Sequence, residues 1–204
     1  MISVILGFKN ESSNLEELIN RTVSTLENTS EKYEIIFIDD DSKDDSRKII
    51  LNEIEKNKNL KYIKLSRNFG IAQSLICGLE NCSGDAIVHL DSDLQDPPEL
   101  IKDMYEKIKE GYHIINTVRT KRHGETKTKL LLTNFAYSFL KLFIKPTILK
   151  NSGDFKMITR LAKDKFLEIK EKDFKKKLQG IYFLLNRRAS ILFFTHCLFD
   201  IISA

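Results

Sequence analysis

A chain of 204 residues, 42% hydrophobic and 30% charged, has the length and composition of one well-cored soluble domain. Its net charge of +4 is too small to indicate nucleic acid, and no RNP, zinc-finger or basic-zipper pattern occurs. Cys77, Cys82 and Cys197 form neither a C-x-x-C pair nor a disulfide framework, which fits buried thiols in a reducing cytoplasm.

Met1-Ile-Ser-Val-Ile-Leu6 is too short for a signal h-region and reads as a first strand, Ile2 to Leu6. Ser12 or Ser13 is expected to cap a helix reaching about Leu26, with Leu15, Leu18, Ile19, Val23 and Leu26 on one stripe. Glu34 to Asp39 reads as the second strand, and a helix follows from about Asp45 to Lys56. Tyr62 to Leu65 is a third strand, Ile71 to Asn81 a helix, and Gly84 the break before a central strand beginning at Ala86. Asp96 is the expected cap of a helix over Pro98 to Glu110, with Pro97 or Pro98 in its first turn and Gly111 its stop. His113 to Val118 is another strand. Strand and helix alternate through short links, so right-handed crossovers and a mostly parallel central sheet flanked by helices are the economical architecture. No stretch reaches the length of a transmembrane span.

The unusual residues cluster at strand ends: Asn10 and Glu11, Asp39 and Asp40, Arg67, Asp91 and Asp93, and Arg119. In a parallel sheet these all fall on one edge, where α/β folds bind ligands. Asp91, Asp93 and Gln95 are spaced two apart, and in extended chain such residues share a face. Few carboxylates on one point suit Mg²⁺ or Mn²⁺, which complete their shells with phosphate oxygens and water. Helix capping alone accounts for Asp96 but not for Asp91 and Asp93. A P-loop or dinucleotide fingerprint is absent, since neither G-x-x-x-x-G-K-[ST] nor G-x-G-x-x-G occurs.

Phe37-Ile-Asp-Asp-Asp-Ser-Lys-Asp44, Leu65-Ser-Arg-Asn-Phe-Gly70, Leu90-Asp-Ser-Asp-Leu-Gln-Asp-Pro-Pro-Glu99 and Asn151-Ser-Gly-Asp-Phe155 together resemble the family 2 glycosyltransferases of GT-A fold. The branch they are most similar to is the polyprenyl-phosphate one, of dolichyl-phosphate mannosyltransferase and undecaprenyl-phosphate glucosyltransferase type. The resemblance implies an inverting transfer of a sugar from a UDP- or GDP-sugar to a polyprenyl phosphate. It places Gly7, Lys9, Glu11, Ile38, Asp39, Asp40, Arg67, Asp91, Ser92 and Arg119 around the nucleotide-sugar. Asp93 and Gln95 are then the metal ligands, with Asp93, Arg119 and Asp154 at the reacting centre. Gly7 and Lys9 stand where the family usually has Pro and Tyr, whereas Glu11 is retained.

Residues 1–170 form the GT-A-like domain in this reading. Residues 171–204 lack the family's later Trp-x-Gly-Phe and Gly-x-Ser-Lys patterns, with Gly180 a last echo, and read as an atypical segment, truncated or frame-shifted. Its apolar tail, from Ile191 through Ile202, suits a core strand, an interfacial anchor or an out-of-frame stretch. Lys121 to Lys145 has a basic lead-in and then an apolar run from Leu130 to Ile144, which suits either a bilayer interface or packing on the C-terminal segment. Arg122, Lys127 and Lys129 would there receive a phosphate headgroup at the inner face of the membrane. Two competitors remain: a soluble transferase acting on a glycan hydroxyl, and a catalytically impaired nucleotide-sugar-binding remnant.

Overall fold

Alternate residues of the first two strands carry apolar side chains to opposite faces, and the sheet is accordingly covered on both. The computed structural model describes residues 1–119, 152–169 and 189–194. Their order is β1 (Ile2–Phe8), α1 (Leu15–Glu27), β2 (Tyr33–Asp39), α2 (Ser46–Lys56), β3 (Leu60–Lys64), α3 (Ile71–Asn81), β4 (Ala86–His89), α4 (Leu100–Lys109), β5 (Ile114–Arg119), β6 (Ser152–Thr159), α5 (Arg160–Glu168) and β7 (Ala189–Phe194). The described strands form one seven-stranded sheet in the order β3-β2-β1-β4-β6-β5-β7. β1 is parallel to β2 and β4, β2 to β3, and β5 to β7, while β6 runs antiparallel to both β4 and β5. The mostly parallel α/β architecture is therefore as the alternation implied.

Val4, Leu6, Ile35, Phe37 and Val88 enter one core with Leu15, Leu18 and Ile19 of α1, Ile50 of α2 and Ile101 and Met104 of α4. Ile5, Ile36, Ile38 and Ile87 face the other way, onto Leu75 and Leu79 of α3 and Ala162 and Phe166 of α5. This double burial explains why β1 and β2 read as unbroken apolar runs rather than as alternating ones.

Several local expectations are corrected. α1 is not capped by Ser12 or Ser13: its N-cap is Asn14, without a side-chain capping bond, and the Ser12 amide instead donates to Asp44 Oδ2 at 3.0 Å. Asp96 does not cap α4, which begins after both prolines with Glu99 as N-cap, again without a side-chain bond; Asp96 lies buried in the preceding loop. β3 starts two residues earlier than its hydrophobic pattern suggested, because Leu60 pairs with Ile35 and fills the core. Gly111 does end α4: at φ +93 its amide donates to the Ile108 carbonyl at 2.9 Å, the left-handed turn glycine favours. β6 escaped the reading from hydrophobic period. Of the apolar tail, Ile191 to Phe194 form strand, in register with Asn116 to Arg119 of β5, and the remainder to Ile202 lies outside the described residues.

The amino edge of the sheet is held by a buried carboxylate, Glu34, which is 3% exposed. Its Oε1 accepts from Ser3 Oγ at 2.5 Å, the Ser83 amide at 2.7 Å and Ser83 Oγ at 2.9 Å, and its Oε2 from Lys61 Nζ at 2.6 Å. One side chain thereby ties β1, β2, β3 and the α3–β4 link. Burial disfavours its charge, but the lysine, the two hydroxyls and the amide outweigh that and hold the carboxyl at about 2. Because the folded value lies below the ordinary one, the stabilisation is complete above the ordinary carboxylate range and is lost as pH falls through about 2. Glu34→Gln should lower the free energy of urea unfolding near neutral pH by about 3 kcal/mol, with the gap to the wild type closing towards the acid end.

Candidate active site

β1, β2, β3, β4 and β5 all point their carboxyl ends to one edge, and the connecting loops there bring the acidic strand ends together. The end of β2 is the most heavily bonded. Asp39 is 1% exposed; its Oδ1 accepts the Ser42 amide at 2.7 Å and its Oδ2 accepts Tyr62 Oη at 2.5 Å. Burial and the Asp39 carboxylate together push the Tyr62 phenol well above its ordinary range, so Tyr62 acts as a donor. Asp40 is 5% exposed, and its two oxygens accept the consecutive amides of Phe69 at 2.7 Å and Gly70 at 2.8 Å. Gly70 is the N-cap of α3 and has φ +89, a conformation that costs a side-chain-bearing residue strain. Asp40 thus carries its negative charge at the positive end of a helix while pinning the β3–α3 loop.

That loop presents Arg67 and Phe69 to solvent. The Arg67 guanidinium lies over the Phe69 ring, 4.7 Å from its centroid, and Phe69 is 44% exposed. Arg67 stands three residues past the end of β3 and is exposed.

The β1–α1 loop carries Lys9, exposed, and Glu11, half-buried. Glu11 Oε2 accepts from Asn14 Nδ2 at 2.7 Å, and its amide donates to Ser46 Oγ at 3.0 Å. Gly7 is a strand residue packed beneath α3, where an added Cβ would come within 3.1 Å of Ser74 Cβ. Ile38, its register partner, is fully buried on the α3 side, so its side chain serves the core.

At the end of β4 the chain turns rather than continuing extended, with Leu94 at φ +60. The shared face expected for Asp91, Asp93 and Gln95 therefore does not come from strand geometry. Asp93 instead folds back, its Oδ1 accepting the Gln95 amide at 3.0 Å, and both residues are exposed. Asp91 is half-buried, with its Oδ1 3.9 Å from His89 Nε2, and Ser92 is buried. Among the described residues no three His, Cys, Asp or Glu side chains gather into a metal cage. One or two exposed carboxylate or amide oxygens still fit a hard cation that takes its remaining ligands from a diphosphate and water.

β6 completes this edge by running backwards. His89 pairs with Lys156, so continuing the ladder puts the backbone of Asp154 beside the exit of β4 towards Asp91. Ser152, two residues earlier, pairs with Val118, next to Arg119 at the end of β5. Topology thus draws the backbone positions of Asp154 and Arg119 to the edge that holds Asp91 and Asp93. Arg122, Lys127, Lys129 and the Lys121 to Lys145 segment lie outside the described residues. No helix of the described residues is long and apolar enough to cross a membrane. Tyr62 is a residue whose role the sequence did not disclose, and Asn10, though placed on this edge by the sequence, was not foreseen to bond across to the β2–α2 turn. A tyrosine in a strand with two lysines beside β2 was the available signal for the first; for Asn10 it was an asparagine just past a strand, a residue that tolerates the left-handed conformation it takes at φ +57.

A sequence model of Glycosyl transferase family 2 matches residues 3–167. The chain is 32% identical over 193 residues to "Uncharacterized glycosyltransferase sll0501" of Synechocystis sp., a match covering 95% of this chain and 60% of that protein. It is 38% identical over 171 residues to "Uncharacterized glycosyltransferase YkcC" of Bacillus subtilis, covering 84% of this chain and 53% of the relative. The chain thus spans only part of the length of these relatives. Among solved structures, S. aureus TarS 1-349 in complex with UDP-GlcNAc superposes with a TM-score of 0.64 at 21% identity, over 95% of this chain and 58% of that one. Glucosyl-3-phosphoglycerate synthase from Mycobacterium tuberculosis, in complex with Mn²⁺, UDP-glucose and phosphoglyceric acid, gives 0.65 at 17% identity, over 95% and 69%. Identities this low speak to the fold. The single α/β domain with its acidic carboxyl edge has the GT-A fold, and the chain belongs to glycosyl transferase family 2.

Proposed function

We propose that this chain carries the donor site of a metal-dependent inverting glycosyltransferase that moves a sugar from a UDP- or GDP-sugar to a polyprenyl phosphate. The observation that carries the reading is the gathering of Glu11, Asp40, Asp91 and Asp93 on one sheet edge in a chain of this family. The base and ribose lie in this reading against Glu11, Asp40 and Asp91. Asp39, with both oxygens engaged inside the protein, holds the turn and Tyr62 in place. Asp40 is also bonded on both oxygens, to the amides of Phe69 and Gly70, but each carboxylate oxygen has a second lone pair, which in this reading accepts the ring N–H of uracil or guanine. Cytosine has no such proton.

Asp93 and Gln95 are the residues that would hold Mg²⁺ or Mn²⁺, which supplies charge stabilisation for the leaving nucleoside diphosphate. Arg119 adds a planar cationic fork for the same phosphates. The acceptor divides the chemistry. A lipid phosphate is largely ionised near neutral pH, since its second pKa is about 6, and it needs cations such as Arg122, Lys127 and Lys129 rather than a base. A sugar hydroxyl requires a carboxylate, here Asp154, to take its proton. The phosphoglyceric acid named with the Mycobacterium tuberculosis enzyme is the observation favouring a soluble acceptor as the second reading.

Two outcomes test these assignments. With Mn²⁺ present, Asp93→Asn should lose metal-dependent nucleotide binding by at least about tenfold on calorimetry, while its thermal unfolding stays near that of the wild type, because the exposed carboxylate supports no core contact. Full donor affinity in that variant contradicts the metal assignment. Given polyprenyl phosphate in vesicles and a labelled UDP- or GDP-sugar, Asp154→Asn should retain measurable transfer and Arg122→Ala should raise the acceptor KM. Complete loss of transfer in Asp154→Asn, together with wild-type activity on water-soluble acceptors, favours the hydroxyl reading instead.

A further inference from the structure

Of the six residues between β1 and α1, the last four form a turn on the Glu11 carbonyl, which accepts the Asn14 amide at 2.9 Å. The amides of Asn10, Glu11 and Ser12 find no partner within the loop. The loop carries Lys9 and Glu11, and the helix that follows lacks a side-chain cap. Those three amides are satisfied from across the edge, by the β2–α2 turn and the first residue of α2. The Asn10 amide donates to Ser42 Oγ at 3.0 Å, and Asn10 Oδ1 accepts the Lys43 amide at 2.8 Å. The Glu11 amide donates to Ser46 Oγ at 3.0 Å, and the Ser12 amide to Asp44 Oδ2 at 3.0 Å. The Asp40 amide, donating to the Phe8 carbonyl at 2.9 Å, closes the strand pair just beneath them.

Asp44 is the centre of this clip. Its Oδ1 accepts the Ser46 amide at 3.1 Å, the local contact that starts α2, and its Oδ2 reaches the other loop. Burial opposes its charge, but the Ser46 hydroxyl and the Ser12 and Ser46 amides outweigh that and hold the carboxyl at about 2, so it stays an acceptor across the neutral range. A residue serving only the start of α2 needs only the Ser46 contact. The bonds to Ser12 and from Asn10 to Lys43 join residues more than thirty apart in sequence and fix one loop against the other. Asn10 adds the geometry: at φ +57 it takes the left-handed turn asparagine tolerates, and that turn aims its side chain and its amide at the same partner loop.

We propose that Asn10 and Asp44 are positioning residues for the nucleotide-sugar, clipping the Lys9–Glu11 loop to the β2–α2 turn so that Glu11 and Asp40 are fixed relative to each other before the donor arrives. The proposal rests on the transferase reading, and neither residue touches the donor in it. Its physical content is preorganisation: a loop already ordered gives up less conformational freedom when ligand binds.

The test uses the full chain with UDP and GDP as probes in the presence of Mn²⁺. In ligand-free protein, Asp44→Ala and Asn10→Gly should speed amide exchange at Asn10 to Ser12 while β1 amides keep their protection. Both variants should weaken whichever diphosphate the wild type binds by about tenfold, equivalent to roughly 1.4 kcal/mol. Ser83→Ala, which removes one bond to Glu34 at the opposite edge, is the control: it should cost stability and leave the Kd unchanged. Asp44→Asn, which keeps one acceptor oxygen, should fall between wild type and Asp44→Ala, and it serves where the alanine variant does not fold. Unchanged exchange at Asn10 to Ser12 overturns the clip. Faster exchange with an unchanged Kd, or a Kd that Ser83→Ala shifts equally, overturns its positioning role and leaves the transferase reading standing. A wild type that binds neither UDP nor GDP overturns the transferase reading, and the positioning role falls with it.

Discussion

Two adjacent carboxylates at the end of β2 organise the carboxyl edge of the sheet, to which we assign the donor site. A strand turns neighbouring side chains to opposite faces, so Asp39 and Asp40 reach different partners from one backbone position. Asp39 takes Tyr62 and the Ser42 amide; Asp40 takes the amides of Phe69 and Gly70. Buried charge is unfavourable unless well bonded, and here each carboxylate is bonded on both oxygens. The result is that the β2–α2 turn and the β3–α3 loop are fixed to the sheet, and through Asn10, Ser46 and Asp44 the β1–α1 loop is fixed to the first of them.

The same device recurs at the other end of the sheet with a different consequence. Glu34 gathers Ser3, Lys61 and Ser83, so at the strand beginnings a buried carboxylate and the buried Ser3 hydroxyl are bonded outwards to exposed Lys61 and Ser83. At the carboxyl edge the buried carboxylates lie beneath exposed groups: Lys9, Arg67, Phe69, Asp93 and Gln95. At the amino edge the polar groups bond one another, whereas the carboxyl edge leaves cations, a ring and two oxygen-bearing side chains facing solvent. That asymmetry is what the parallel arrangement of β1 to β4 offers, since all their carboxyl ends emerge together.

Much of this was legible in the sequence. Apolar runs bounded by polar loops located β1, β2 and β4, and Ile71 to Asn81 was bounded correctly as a helix because Gly70 precedes it and Gly84 breaks the chain after it. Helix starts were less legible. Ser12 and Asp96 have the right chemistry for caps, but the Ser12 amide is taken by Asp44 and Asp96 is drawn into the interior, both long-range effects that no local pattern encodes. β6 was missed for a related reason: its Gly-Asp-Phe stretch carries a family motif, which masked its alternation, and its direction is fixed only by pairing with His89 and Asn116. The acidic strand ends were correctly gathered on one edge. Their division into carboxylates that hold loops and carboxylates that face solvent depended on partners such as Tyr62 that sequence spacing does not reveal.

The central claim is that this edge is a nucleotide-diphosphate site whose three loops are fixed in advance. Amide hydrogen exchange on the full chain, with and without UDP or GDP and Mn²⁺, tests it most directly. The account predicts added protection in Phe8 to Ser12, Asp39 to Ser46, Ser66 to Gly70 and Asp91 to Gln95, with little change at the Glu34 edge. Protection confined to other segments, or none with either nucleotide at saturating concentration, would contradict it.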